Sequence, residues 1–485
     1  MATTECRPAS SLDDGAAIAE LEQAVARQRA AFLADPFPSL EERQQLLGAL
    51  AGMLMSHRTQ IQQALSSDFA VHPPLAADLI EVLGPAGRAM YAAEQLAGWM
   101  EPEPRAADPA LYGSGRAFVQ PQPKGVIGNI VPWNFPFDLS VGPLIEMLAA
   151  GNRVVIKPSD YTPACAQLLR EMVHATFDRD RVDVVVGGLE LAQAFTRVRW
   201  DHLLYTGSPA IGREVAKAAA EQLVPVTLEL GGKCPAIIAP DSVDAESVKQ
   251  VLATKAIKNG QMCISVDYCL VPRERLDDFA DLAAAHVRES MPGYCTSESC
   301  TGIISSRHLE RIEQLLEDAR ARGADVRPLE ADEADRASRQ LPMSLVIDPP
   351  DDLGLMREEI FGPVLPIKAY DSIEEAVQYV NAGERPLALY VFAKDEELAE
   401  GVLQHTTSGG ACVNSAAVHG ALASLPFGGT GQSGSGRHHG LEGFREFSNL
   451  RGVFVRGEGD MIEAFAPPYG PAAQAVADAA FAQAG

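Results

Sequence analysis

Gly125-Val-Ile-Gly-Asn-Ile-Val131, Arg153-Val-Val-Ile156, Val182-Asp-Val-Val-Val186, His202-Leu-Leu-Tyr205 and Val226-Thr-Leu-Glu-Leu230 are five short runs rich in β-branched and apolar residues. Between them lie helix-like segments, Leu139 to Ala150, Pro163 to Thr176, Leu189 to Val198 and Ile211 to Gln222. Buried strands alternating with helices predict a parallel sheet wound on both faces, with its ligand site at the strand ends. Outward toward the C-terminus the alternation restarts after Gly231-Gly232. A strand is expected near Pro235 to Ala239, a helix near Val248 to Asn259 and a strand at Tyr268 to Val271, so a second α/β unit follows. Outward toward the N-terminus the first hundred residues read as helices. Leu46, Leu47, Leu50, Leu54, Ile61 and Leu65 recur at helical spacing over Leu40 to Leu65, with Pro36 and Pro38 as start signals. Glu101-Pro-Glu-Pro104 ends that block, and Arg116 to Pro123 stands apart before the alternating stretch.

The whole chain agrees with a large globular protein. At 485 residues, 47% apolar and 22% charged, it has enough apolar content for two or three domains and too much for a disordered chain. A formal net charge of −25 opposes nucleic acid or an anionic membrane as partner. The eight cysteines (6, 165, 234, 263, 269, 295, 300 and 412) form no CxxC pair, so no metal site is expected. Met1 to Glu22 lacks the basic and apolar regions of a targeting signal, and no apolar run approaches the roughly 18 residues of a membrane span. A reducing cytoplasm with free thiols is the expectation. The Ala-rich tail from Pro467 to Gly485 reads as flexible or packed on a partner subunit.

The GxGxxG dinucleotide signature is missing. In its place stands Tyr205-Thr-Gly-Ser-Pro-Ala-Ile-Gly212, a strand followed by a Gly-Ser turn that opens a helix. A helix start offers free N–H groups and a positive dipole end to a phosphate, although such turns are often no more than caps. Cys263 ends Asn259-Gly-Gln-Met-Cys263, where a helix-like stretch and a turn would set it in a tight bend. A thiol near pKa 8.5 is only a few per cent thiolate at neutral pH, roughly, so a working cysteine needs activation. Taken alone, a cysteine is far more often a small buried hydrophobe, the reading given to Cys165, Cys269 and Cys412. Glu229 lies on a strand running into Gly231-Gly232, where burial would raise its pKa toward that of a general base; on the strand pattern alone, a carboxylate hydrogen-bonded to a loop is the favoured reading. Asn134, between Trp133 and Phe135 with prolines on both sides, has a stiff backbone from which its amide can hold an oxyanion or merely complete a turn. Glu359 and Phe361, without context, are a solvated charge beside a core aromatic.

Six segments in order add context: Pro123-Lys-Gly-Val-Ile-Gly-Asn-Ile-Val-Pro-Trp-Asn-Phe-Pro136, Lys157-Pro-Ser-Asp160, Leu228-Glu-Leu-Gly-Gly-Lys233, Asn259-Gly-Gln-Met-Cys263, Glu358-Glu-Ile-Phe-Gly-Pro-Val364 and Leu425-Pro-Phe-Gly-Gly429. Across roughly residues 40 to 450 the set resembles the aldehyde dehydrogenase superfamily. Lys157-Pro-Ser, Asp267-Tyr268 and the run Gly428-Gly-Thr-Gly-Gln-Ser-Gly-Ser-Gly436 with His439-Gly440 resemble its class 3 and coniferyl aldehyde dehydrogenase branch.

The resemblance implies two doubly wound α/β domains plus a small β oligomerisation arm. Residues 1–105 and 125–230 would form the dinucleotide-binding domain, 231–413 the catalytic domain, and 106–124 with 414–485 the bridging segment. Cys263 would be the nucleophile, Glu229 the water-activating base, and Asn134 with the Cys263 N–H the oxyanion site. NAD, with NADP possible, would lie against Lys157 and Asp160 at the adenosine ribose, Gly207 and Ser208 at the pyrophosphate, and Trp133, Glu359 and Phe361 toward the nicotinamide. Asp160 stands where relatives more often carry glutamate, and Lys233 reads as structural. The implied reaction converts an aldehyde, aromatic such as coniferyl aldehyde or medium-chain aliphatic, into its acid through a thioester. Acyl transfer to coenzyme A is an alternative, disfavoured by the presence of Glu229; a catalytically silent binding protein of the same fold is another. A homodimer is expected, with contacts near residues 106 to 124 and 450 to 470.

Overall fold

The computed structural model describes residues 14–331 and 334–484. Cys6 and most of the segment inspected for a targeting signal lie outside the described residues. The alternating stretch forms parallel strands Val126–Ile130, Arg153–Lys157, Val182–Val184, His202–Gly207 and Val226–Leu230. Across the sheet they lie in the order third, second, first, fourth, fifth. The order reverses between the Val126–Ile130 and His202–Gly207 strands, which opens a crevice at their C-terminal ends. A two-residue strand, Gly434–Ser435, adds antiparallel to Val226–Leu230 from far along the chain.

Alternate residues of a strand point to opposite faces, so strands that are apolar throughout need both faces covered. Val154 and Ile156 pack beneath the N-terminal helices and helices Asp138–Ala149 and Pro163–Thr176. Val155 packs on the other face with Leu21, Leu191 and Val215 from helices Asp14–Ala34, Leu189–Arg197 and Pro209–Ala220. The second sheet has seven strands. Pro235–Ile238, Tyr268–Pro272, Ser344–Ile347, Val364–Tyr370, Ala388–Phe392 and Gly410–Val413 are parallel, and Asp325–Pro328 joins antiparallel at one edge. A third, antiparallel sheet unites Glu103–Arg105, Arg116–Pro123 and Ser448–Val455. The architecture is thus α/β with two largely parallel sheets and a small antiparallel one. Among the described residues no helix is long and apolar enough to cross a membrane.

Two elements differ from expectation for local reasons. The helix expected over Leu40 to Leu65 is two helices, Leu40–Ser56 and Arg58–Phe69. At the break His57 Nδ1 and the Ser56 hydroxyl both reach the Met53 carbonyl, at 2.8 and 3.1 Å, and the His57 N–H turns to Leu54. The helix expected to reach Asn259 starts earlier, capped by Asp244, and ends at Ala256; Lys258 and Asn259 then take left-handed backbone, each at φ 53°. The Ala-rich tail forms the helix Pro471–Ala484.

Candidate active site

Two neighbouring hollows meet at the strand ends. The larger, a cleft of about 1120 Å3, lies over the sheet reversal and takes in Trp133, Lys157, Asp160, Gly207 and Ser208. The smaller, about 260 Å3, shares Trp133, Gly207 and Ser208 with it and adds Asn134, Glu229, Cys263, Glu359 and Phe361. All ten residues singled out in the sequence therefore line one continuous space.

The cleft has the chemistry of a dinucleotide site. Ser208 caps the helix Pro209–Ala220, its Oγ accepting from Ile211 N, and so leaves the helix start facing the cleft with its positive dipole end. Lys157 closes the Arg153–Lys157 strand as a buried cation, its Nζ donating to the Pro158 carbonyl at 3.1 Å, and Asp160 follows as a half-buried carboxylate. At the inner end the Trp133 and Phe361 rings meet edge to face, centroids 5.3 Å apart. A carboxylate for ribose hydroxyls, a helix start for phosphates and an aromatic pair near Glu359 together suit the parts of a nicotinamide dinucleotide.

The loop carrying Glu359 and Phe361 is braced from below. Lys233 pairs with Asp267 and donates to the Leu355 and Glu358 carbonyls at 2.8 and 3.1 Å. Asp267 accepts the Ile360 N–H at 3.0 Å, and Arg311 donates to the Glu359 and Ile360 carbonyls. Phe361 is held at φ 52°, a strained conformation for a bulky residue. Gly231 passes so close that a Cβ there would stand 2.1 Å from the Glu359 carboxylate.

In the inner cavity Cys263 is partly exposed, and its loop is tied at several points. The Gln261 side chain accepts the Ile304 N–H at 2.9 Å and donates to the Lys258 and Gly302 carbonyls at 2.8 and 3.1 Å. Cys234 Sγ donates to the Cys263 carbonyl at 3.3 Å, and Tyr390 donates to the Ile264 carbonyl at 2.5 Å. Asn134 gives one amide hydrogen to the Gln261 carbonyl at 3.2 Å, leaving a second for the cavity. Glu229 is buried, and neither carboxylate oxygen has a hydrogen-bond partner among the described residues. Burial pushes its carboxyl well above the usual range; Arg437 and the nearby Gly429 N–H oppose the rise, and the Glu446 charge reinforces it. Burial, with nearby Asp267, likewise lifts Glu359 to about 8. The Cys263 thiol is pushed up to about 12, first by burial and then by the Glu359 and Glu229 carboxylates. The resting site thus holds a protonated thiol in the same cavity as a buried carboxyl group whose pKa is raised.

Sequence reasoning missed several lining residues. His308 meets Trp133 edge to face at 5.3 Å, Arg311 braces the Glu359 loop, and Leu139, Leu387, Phe427 and His438 complete the inner wall. Cys165 and Cys269 are buried, whereas Cys412 is half-buried with Sγ 3.3 Å from His419 Nδ1. Among the described residues no three His, Cys, Asp or Glu side chains are grouped to hold a metal ion.

Known proteins resemble this chain throughout. The sequence model described as the aldehyde dehydrogenase family matches residues 14–453. A probable coniferyl aldehyde dehydrogenase of Caulobacter vibrioides is 43% identical, covering 95% of this chain and 96% of the relative. A coniferyl aldehyde dehydrogenase of a Pseudomonas species is 38% identical over 93% of this chain and 94% of its own length. The crystal structure of a Mycobacterium tuberculosis aldehyde dehydrogenase complexed with NAD+ superposes with TM-score 0.81 at 30% identity, covering 91% of this chain and 90% of that one.

Proposed function

The chain belongs to the aldehyde dehydrogenase family, whose members oxidise aldehydes, and from that premise we propose NAD-dependent conversion of an aromatic aldehyde into its acid through a thioester on Cys263. The observation that carries this reading is the convergence of Cys263, Glu229 and Asn134 on one small cavity that opens into the dinucleotide-shaped cleft. Lys157 and Asp160 would hold the adenosine ribose, Gly207 with Ser208 the phosphates, and Trp133, Glu359 and Phe361 the nicotinamide end. Bound there, the dinucleotide supplies the two-electron oxidation by accepting hydride. The inner wall of Leu139, Leu387 and Phe427 suits a flat apolar substrate, and His438 offers one polar contact. The three coniferyl-type names among relatives support the aromatic class.

The Cys263 thiol releases its proton to solvent, its Sγ bonds to the aldehyde carbon, and the carbonyl π pair moves onto the oxygen as an alkoxide. The free Asn134 amide hydrogen and the Cys263 N–H steady that charge, a contribution that preorganised donors in a dry site make strongly. After oxidation the acyl group remains on Cys263 as a thioester. Glu229 then takes a proton from water, the resulting hydroxide attacks the acyl carbon, and the carbon–sulfur bond breaks to release the acid. A buried carboxyl with a raised pKa and free lone pairs is matched to that proton transfer.

Stopped-flow turnover of coniferyl aldehyde with NAD tests the assignment. Cys263→Ala is expected to abolish NADH formation, while Cys165→Ala and Cys412→Ala retain most of it. Glu229→Gln is expected to give one burst of NADH and then stall. Turnover in Cys263→Ala overturns the thioester route, and steady turnover without a burst in Glu229→Gln assigns the water to another base.

A further inference from the structure

Asn134 follows a strand of the six-stranded sheet, whereas Cys263 precedes a strand of the seven-stranded sheet, so no shared strand sets their separation. A buried ion pair spans the gap instead. Glu81 lies on Ala77–Leu83, a segment wound as a π-helix, a form that often marks functional sites. Its Oε1 accepts from Lys258 Nζ at 2.9 Å, and the two side chains are only 0% and 2% exposed. Its Oε2 accepts the N–H groups of Phe137 and Asp138 at 3.0 and 2.9 Å. One carboxylate therefore grips both the backbone three residues after Asn134 and a lysine five residues before Cys263. The Lys258 ammonium also lies 4.3 and 5.0 Å from the Phe69 and Phe135 ring centroids, the latter adjoining Asn134.

Two further facts separate this pair from ordinary packing. Lys258 and Asn259 are both left-handed, a conformation that residues with side chains keep only where the surroundings hold them. A buried ion pair is, moreover, a poor source of stability compared with well-packed apolar residues of similar size. Folding alone gives little reason to place one here; fixing two loops at a set distance does.

We propose that the Glu81–Lys258 pair is a positioning strut that sets the reach between the Asn134 amide and the Cys263 sulfur. It rests on the roles assigned to those two residues above. The strut acts on the oxidation step and leaves substrate binding nearly untouched, because neither member lines the cavity. The central test is the double variant Glu81→Gln/Lys258→Met, which removes both charges and so strands neither. Its kcat is expected to fall about 10- to 100-fold, the range for small misplacements of reacting groups, with KM within about threefold. Alkylation of Cys263 by iodoacetamide, which needs the thiol but no oxyanion donor, is expected to stay within about threefold of the parent. Glu81→Asp keeps both charges but shortens the reach, and is expected to show the same split between kcat and KM.

Parental kcat in the folded double variant or in Glu81→Asp overturns the proposal. So does a parallel loss of turnover and alkylation, which marks collapse of the whole site. Failure of both variants to fold also counts against it, since a spacing strut leaves the global fold intact. Cys263→Ala and Asn134→Ala run alongside: full turnover in either one defeats the site assignment instead, independently of the strut.

Discussion

At Cys263 the acid–base behaviour of the site meets in one thiol. Glu359, lifted to about 8 by burial, is largely protonated at pH 7 and gains its negative charge as pH rises through that value. That charge opposes formation of the neighbouring thiolate, so thiol reactivity should climb less steeply than tenfold per pH unit between pH 7 and 9. Glu359→Gln removes the effect. Its iodoacetamide alkylation rate should equal the parent's at pH 6.5, where Glu359 is neutral anyway, and exceed it on the order of tenfold at pH 9, the equivalent of one unit of thiol pKa. Identical pH profiles would show that Glu359 does not reach the sulfur electrostatically. A second residue-scale expectation concerns Asp160, a half-buried carboxylate in the cleft. It would accept from both ribose hydroxyls and repel a 2′-phosphate, favouring NAD. Being one methylene shorter than glutamate, it leaves room for some use of NADP, with Lys157 offsetting part of the charge. Asp160→Glu should therefore raise the NAD-to-NADP ratio of kcat/KM, and an unchanged ratio removes this explanation.

At the scale of elements, the strands from Val126 to Leu230 were legible because each is a short run dominated by β-branched and apolar residues, even where Asp183, Thr227 or Glu229 turns a polar group to one face. Beyond Val271 the sequence reading names no element. Strands such as Ser344–Ile347 and Ala388–Phe392 hold four or five residues, and periodicity cannot separate so short an apolar run from a buried helix. The left-handed bend at Lys258 and Asn259 was illegible for a different reason, since neither residue is a glycine and tertiary contacts alone impose the conformation. The ten site residues were legible as motifs, whereas His308 and Arg311 sit on the amphipathic helix Ser306–Ala321, whose pattern announces only a surface helix. Their place beside Trp133 and the Glu359 loop is a product of the fold. Gly231 offers a test of how tightly these elements are fitted. Its backbone is not in the left-handed region, so alanine costs the fold little, but the added Cβ meets the Glu359 carboxylate. Gly231→Ala should keep its melting temperature within about 3 °C and weaken NAD binding on the order of tenfold by fluorescence titration. Parental affinity would mean that Glu359 does not contribute to holding the cofactor.

At the scale of the whole molecule, the small antiparallel sheet leaves a long strand at its edge. The eight-residue strand Ser448–Val455 pairs with Arg116–Pro123 along one side only among the described residues. It also exposes Leu450, Phe454 and Val455 to solvent. A long, apolar, unpaired edge is a template for another strand, and a monomeric protein ordinarily blunts such an edge with charge, proline or a bulge. The simplest closed solution is a twofold dimer in which the same surface of each copy covers the other, the arrangement most soluble oligomers adopt. Light scattering is therefore expected to give the mass of two chains at micromolar concentration. Leu450→Asp with Val455→Asp places charge on the exposed strand without replacing either ring of the Tyr112–Phe454 contact. This variant should run as a monomer. Leu450 and Val455 line neither the cleft nor the inner cavity, so the monomer should retain aldehyde oxidation within about threefold, as surface substitutions away from a site usually do. A parental protein that is already monomeric, or a charged variant that remains dimeric, would place the subunit contact elsewhere or remove it. A monomer that loses activity despite an intact melting temperature would show instead that the site depends on support from the partner subunit.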